Sequence, residues 1–236
     1  MVFDFKRIIT GFILILVLIS SYLLQLDLFL ISLIALFIFY DLFYSKLLSN
    51  FKFLLLIAIM ILFALYFFNY KYLFYFFFPS FILISVFIGR FRNLFFIISL
   101  ILFLFFSYDL ILTNNKILYL IIFLSFFNDT IAYISGKLIK GPLIVPKISP
   151  KKTISGTLIS FTASIIAILF FLDLNIFFSF LIAGSFFMGD LYFSFIKRSN
   201  LIKDFSNILS GHGGILDRID SIFLPIYFLT IHFNVY

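Results

Sequence analysis

Asp217 and Asp220 stand three residues apart, just ahead of the last apolar run of the chain. If that run opens as a helix, residues at this spacing share a face and both carboxylates point one way. Such a pair suits Mg²⁺, which takes a few carboxylate oxygens and completes its shell with water and substrate phosphates. Acidic groups also favour a helix start by themselves, so plain capping accounts for the pair as well. The preceding Gly211-His212-Gly213-Gly214 weighs against capping alone. Glycines there let backbone N–H groups close on a phosphate.

Basic residues flank this group. Lys197, Arg198 and Lys203, with Asp204, lead into the glycine turn. A second cluster, Pro146-Lys147-Ile148-Ser149-Pro150-Lys151-Lys152-Thr153, packs lysines and hydroxyls between prolines. Lysines at a membrane surface attract anionic headgroups at about 1 kcal/mol each; the same lysines could equally hold a substrate phosphate. Phosphoryl-type transfer asks for metal, positive charge and positioning more than covalent help, and these are the parts present. Asp129 and Asp190 fall inside apolar runs. An Asp at a membrane helix centre costs about 2.5–3.5 kcal/mol, so each must face a partner, a cation or water.

The elements that carry these groups follow from composition. Of 236 residues, 64% are apolar, 23% aromatic and only 11% charged. A soluble domain carries about 25% charged residues and about 45–50% apolar ones. A water-soluble fold is excluded, and so is disorder, which needs low hydrophobicity and high charge. The absence of Cys excludes a disulfide framework, an iron–sulfur cluster and thiolate-bound zinc. Every acidic residue is Asp.

Charged and polar breaks divide the chain into nine apolar runs, at 8–25, 28–44, 53–69, 72–89, 94–108, 117–135, 157–172, 176–195 and 222–236. A membrane helix needs about 20 such residues. Lys6 and Arg7 precede the first run in the manner of a signal peptide, but no small-residue cleavage site follows, so it reads as a retained anchor. With the N-terminus in the cytoplasm, alternation places all the Lys and Arg residues inside except Lys71 and Lys116. That asymmetry is what the positive-inside rule asks for. The expectation is an all-α, polytopic helical bundle of about nine transmembrane helices, N-terminus cytoplasmic and C-terminus outside. The net charge of +7 is then topology rather than nucleic-acid binding.

Residues 1–116 read as a hydrophobic scaffold, with Asp27, Asp41 and Asp109 as solvated helix ends. Residues 117–236 hold the chemistry and the two polar loops, 136–156 and 197–221, both expected in the cytoplasm. His232, deep in the last run, reads as a packing residue.

The C-terminal pattern Ser194-x2-Lys197-Arg198-x4-Lys203-Asp204-x-Ser206-x2-Leu209-Ser210-x-His212-Gly213-Gly214-Ile215-x-Asp217-Arg218-Ile219-Asp220 resembles the signature of the phosphatidate cytidylyltransferase (CDP-diacylglycerol synthase) family. Asp129-x2-Ala132-Tyr133-x2-Gly136-Lys137, Ser149-Pro150-x-Lys152-Thr153-x2-Gly156 and Gly189-Asp190-Leu191 are similar to further family elements. Two positions depart: Ser210 where the family usually has Pro, and Phe193 where many members carry Glu. The resemblance implies that CTP and phosphatidate give CDP-diacylglycerol and pyrophosphate, at an inner (cytoplasmic) membrane, with the active-site loops facing the cytoplasm. It implies Mg²⁺, with or without a second cation, on Asp190, Asp217 and Asp220. It gives catalytic parts to these and to Lys197, Arg198, Lys203, Asp204, His212 and Arg218. It gives substrate contacts to Asp129, Lys137, Lys147, Ser149, Lys152, Thr153, Gly211, Gly213 and Gly214. A homodimer fits the same reading. The alternatives are a related CTP-dependent lipid kinase and, from another class, a lipid or ion transporter, in which the intramembrane Asp residues would line an ion path.

Overall fold

Apolar runs with few breakers become helices because a backbone in lipid must satisfy its own hydrogen bonds. The computed structural model describes residues 5–48, 52–67, 72–209 and 213–235, with side chains of 5–11, 52–56, 67, 151 and 235 left aside. Its helices are α1 (Phe5–Leu23), α2 (Asp27–Tyr44), α3 (Lys52–Phe67), α4 (Tyr72–Phe87), α5 (Arg92–Ile139), α6 (Ile154–Leu172), α7 (Ile176–Ser199), the single turn α8 (Leu216–Ile219) and α9 (Phe223–Val235). Among the described residues, α2, α5, α6 and α7 are long and apolar enough to cross a membrane. Phe12–Leu23, Ile57–Tyr66, Tyr72–Phe87 and Phe223–Asn234 are shorter apolar stretches. Large side chains such as Met60 (72%) and Phe170 (80%) stand exposed. An outer surface of this kind belongs in lipid, since soluble proteins rarely expose broad apolar patches.

Two details differ from the sequence reading. The fifth and sixth runs form one element, α5, interrupted where Asn114 adopts an extended backbone (φ −161°, ψ 95°). The loop at 136–156 is shorter than expected, because α5 continues to Ile139. It is also not irregular: β1 (Leu143–Val145) pairs antiparallel with β2 (Ser149–Thr153). The all-α architecture thus carries one small hairpin.

The arms of α5 run through the middle of the bundle, packed by α2, α3, α4, α6, α7 and α9. Its core is aromatic. Phe193 lies edge-on to Phe96, Phe205 and Phe223, with ring centroids 5.2, 6.1 and 5.1 Å away. Phe193 is fully buried, so the position where the resemblance implies Glu is here a packing site facing away from water. His232 also packs, its ring 4.6 Å from that of Phe178.

Side-chain caps start the helices that follow the hairpin. Thr153 Oγ1 accepts from Gly156 N at the start of α6 (3.2 Å). Asn175 Oδ1 accepts from Phe178 N at the start of α7 (2.9 Å). Such caps satisfy N–H groups that the first turn leaves unpaired and are worth about 1 kcal/mol each.

Candidate active site

Three elements bring carboxylates together. Asp129 sits on the second arm of α5, Asp190 on α7, and Asp220 just after α8. Their charges act on one another: Asp220 feels both Asp190 and Asp129. The half-buried Asp220 carboxyl is held well above the usual carboxylate range, first by burial and then by the Asp190 charge. Its backbone is fixed from two sides. A Cβ at Gly189 would overlap the Asp220 carbonyl, so α7 and the last loop touch at that glycine. Ser221, next in the chain, shares a 2.6 Å hydroxyl–hydroxyl hydrogen bond with Ser125 of α5.

The positive counterpart is Lys152 at the end of β2, which forms an ion pair with Asp190 and lies 4.9 Å from the centre of the Phe187 ring. Asp129, Lys152, Thr157, Asp190 and Phe187 line a cavity of about 230 Å³ between α5, α6 and α7. Asn128 lies beside it and accepts from Ser164 (3.1 Å), which ties α5 to α6. Ser194, one turn after Asp190, donates to it at 3.2 Å.

Asp217 faces elsewhere. Its Oδ1 accepts from Lys197 Nζ at 2.7 Å, and its Oδ2 accepts from Phe205 N at 3.0 Å and Gly214 N at 2.9 Å. The expectation that Asp217 and Asp220 share a helix face fails for a local reason. α8 is one turn long and ends at Ile219, so Asp220 lies past its end. Asp217 instead closes the glycine turn. Gly213 has φ +76°, and a Cβ there would come within 2.7 Å of Asp217 Oδ2. Leu209 N donates to Gly213 O at 2.9 Å, drawing the two sides of the turn together.

The turn has a second anchor that the sequence reading missed. Asp41, near the end of α2, is 0% exposed. It accepts from Ser206 Oγ at 2.5 Å and from Leu216 N at 2.8 Å, and a Cβ at Gly214 would strike its carboxylate. The reading of Asp41 as a solvated helix end is therefore wrong, and Asp109, 8% exposed, is not solvated either. Asp27, partly exposed, accepts from Tyr119 (2.7 Å) and Asn115 (3.0 Å). Like Asp129 and Asp190, Asp41 interrupts an apolar run, but it does so close to the end of that run, where a carboxylate can equally reach water.

The remaining expected residues are spread out. Arg198 Nε donates to Ile148 O (3.3 Å) and its Nη1 to Ile202 O (3.2 Å), tying the hairpin to the loop after α7. Thr153 lines the cavity and caps α6. Ser149 opens β2 and pairs with Val145. Lys147 is exposed in the hairpin turn, and Lys137 reaches over the Tyr133 ring. Lys203 and Asp204 are exposed on the loop between α7 and α8. Arg218, on α8, is close enough to Asp129 for their charges to attract. Ser210, Gly211 and His212 lie outside the described residues.

Among the described residues no three His, Asp or Glu side chains are arranged to hold a metal ion by themselves. Asp129 and Asp190 offer hard oxygens at the cavity, and Asp220 lies near enough for their charges to act on it. Such a set fits an ion that completes its shell with water and phosphate, as Mg²⁺ does. With Lys152 beside it, the cavity offers both signs of charge to a phosphate-bearing ligand.

Comparison with known proteins finds relatives over about half of their length and a family over nearly the whole chain. A phosphatidate cytidylyltransferase of Rickettsia typhi is 42% identical over 120 residues, covering 42% of this chain and 51% of the relative. One from Aquifex aeolicus is 39% identical over 122 residues, covering 48% and 47%. One from Helicobacter pylori is 41% identical over 121 residues, covering 44% of each. The chain spans about half the length of the curated relatives it matches. The model of the cytidylyltransferase family matches residues 5–236, nearly the whole chain, and the chain belongs to that family.

Proposed function

We propose that this chain is a phosphatidate cytidylyltransferase of phospholipid biosynthesis. An oxygen of the phosphatidate phosphate attacks the α-phosphorus of CTP; the bond from that phosphorus to the bridging oxygen breaks, and pyrophosphate leaves with CDP-diacylglycerol as product. The observation that carries this reading is the meeting of Asp129, Asp190 and Lys152 around one cavity, with Asp220 near enough to feel the charges of both Asp residues, in a chain of this family. A phosphate monoester is largely dianionic near neutral pH, so its oxygen needs no strong base. That agrees with a site whose described charged groups are Asp, Lys and Arg.

Mg²⁺ is the proposed cofactor, held by Asp190 and Asp220 with Asp129 nearby, alone or with a second cation. Bound there, it would neutralise charge on the phosphates. Lys152 is proposed to let go of Asp190 in part and hold a substrate phosphate. Asp217 and Lys197 are proposed to hold the glycine turn, Asp217 through the Gly214 N–H, with Gly213 offering its own backbone N–H group. Residues 117–236 supply the reacting groups and 1–116 support them, with Asp41 reaching across.

The test is direct. Purified protein with labelled CTP, phosphatidate and Mg²⁺ should release pyrophosphate and form CDP-diacylglycerol; no product under these conditions overturns the reading. In the same assay, in neutral detergent, Lys152→Ala should raise the KM for CTP or phosphatidate roughly tenfold or more, the worth of a charged hydrogen bond. Lys147→Ala, exposed in the hairpin turn, should change it little. Equal small effects would reduce both lysines to surface attraction.

The proposed topology has nine crossings of an inner membrane, the N-terminus and both polar loops in the cytoplasm, and no nucleic-acid partner; a homodimer remains part of the proposal. Lys147→Cys gives a unique thiol in this Cys-free chain. An impermeant thiol reagent should label it only after cells are opened. Labelling on intact cells would invert the orientation.

A further inference from the structure

A second cavity, about 720 Å³, opens between α1 and the second arm of α5. Its walls include Leu14, Leu18 and Tyr22 of α1 and Phe123, Phe126 and Thr130 of α5. The lining is apolar or aromatic along its length, and Arg218 is the single charged side chain among its lining residues. Arg218 belongs at the Thr130 end, because its charge also acts on Asp129, the neighbouring residue on α5. Asp129 lines the reaction cavity while Thr130 lines this groove. The two spaces therefore lie on adjacent sides of one helix turn, with a guanidinium beside their boundary.

From Tyr119, which lines the far end, to Thr130 the groove follows eleven residues of α5. At about 1.5 Å per residue that is about 16 Å of helix, close to half of a hydrocarbon core about 30 Å thick. The dimension is that of one acyl chain. An apolar slot of that length with a cation at one end is complementary to a single lipid molecule bearing a phosphate.

We propose that the α1–α5 groove is the binding slot for an acyl chain of the phosphatidate substrate, with Arg218 holding the lipid phosphate at the edge of the reaction cavity. The proposal rests on the phosphatidate reading above and deepens it. It gives α1 a part in substrate selection: the chain lies along Leu14, Leu18 and Tyr22, and the phosphate emerges where Asp129 and Asp190 face the nucleotide. Arg suits this place because its planar fork binds phosphate oxygens in pairs. An annular lipid held by the apolar slot alone would show no preference for headgroup.

Two measurements decide it. Leu18→Trp fills the middle of the slot. The ratio of kcat/KM for a long-chain phosphatidate to that for a dihexanoyl phosphatidate should fall about tenfold, the worth of roughly two buried methylenes. Leu36→Trp, on an exposed face of α2, should leave that ratio at its wild-type value. An unchanged ratio in Leu18→Trp, with both substrates turned over, overturns the groove. Wild-type protein that converts neither lipid overturns the catalytic reading instead. The second measurement needs no turnover and no variant: phosphatidate carrying a diazirine at the end of one acyl chain is photolysed with the wild-type protein. Crosslinks should map to peptides holding Tyr22, Tyr119 or Phe123. Phosphatidylcholine with the same chain should label them far less. Equal labelling by both lipids, or labelling elsewhere, overturns the proposal.

Discussion

Asp220→Asn and Asp190→Asn are each expected to lower turnover by about 10²–10³, the usual worth of a preorganised charge at a reacting centre. Asn keeps the shape of the side chain and removes one negative charge, so each variant should still insert and fold. The apparent Mg²⁺ requirement should rise in both. Because α7 and the last loop touch at Gly189 and the Asp190 charge acts on Asp220, the two carboxylates are expected to serve one site, and the double variant should be little worse than either single one. Asp27→Asn is the control. It removes a charge far along the chain that is held by Tyr119 and Asn115, and turnover should be nearly unchanged. Near-normal Mg²⁺-dependent turnover in both single variants would leave Asp190 and Asp220 with a packing role only.

The second large effect is on stability. Lys197 and Asp217 form a buried pair, their side chains 10% and 7% exposed. Removing one member of a buried pair leaves an uncompensated charge and costs about 3–5 kcal/mol. Asp217→Asn should therefore lower the thermal midpoint in detergent by several degrees. Lys197→Met should do the same, because it leaves Asp217 charged. In the double variant Asp217→Asn/Lys197→Met no charge is stranded, and the Asn oxygen can still accept from Phe205 N or Gly214 N. Part of the lost stability should return, although the turnover of the double variant should not. Strictly additive losses would mean that the two groups do not act as a pair.

Most of the helices were legible as long apolar runs, because length and hydrophobicity alone define a membrane helix. Asp129 and Asp190 were legible too, as carboxylates in places where a carboxylate is expensive. What was not legible is where short elements turn. Asp217 and Asp220 would share a face only on a helix that continues; α8 stops after one turn, and the two carboxylates part. The hairpin escaped notice because its strands are three and five residues long, too short for an alternating pattern, and sit among prolines that read as loop. Asp41 escaped because its partners are far away in sequence: Ser206 lies 165 residues on and Leu216 175 residues on. Nothing local distinguishes a helix-end Asp that meets water from one that meets a distant loop.

That separation bears on how the protein is made. A membrane chain inserts in the order of its synthesis, so α2 enters the bilayer long before the residues that cover Asp41 exist. Until Ser206 and Leu216 arrive, its carboxylate must stay at the water interface or take up a proton. Docking of α2 is therefore completed late, by residues 165 and 175 positions further on, even though the helix itself forms well before them. The same contact works as a checkpoint. A truncated chain lacking the loop beyond α7 leaves Asp41 uncovered in the bundle, while a complete chain that fails to seat α2 leaves Ser206 Oγ and Leu216 N without their acceptor. An assembled glycine turn thus reports that α2 and the loop beyond α7 have been delivered to the same membrane.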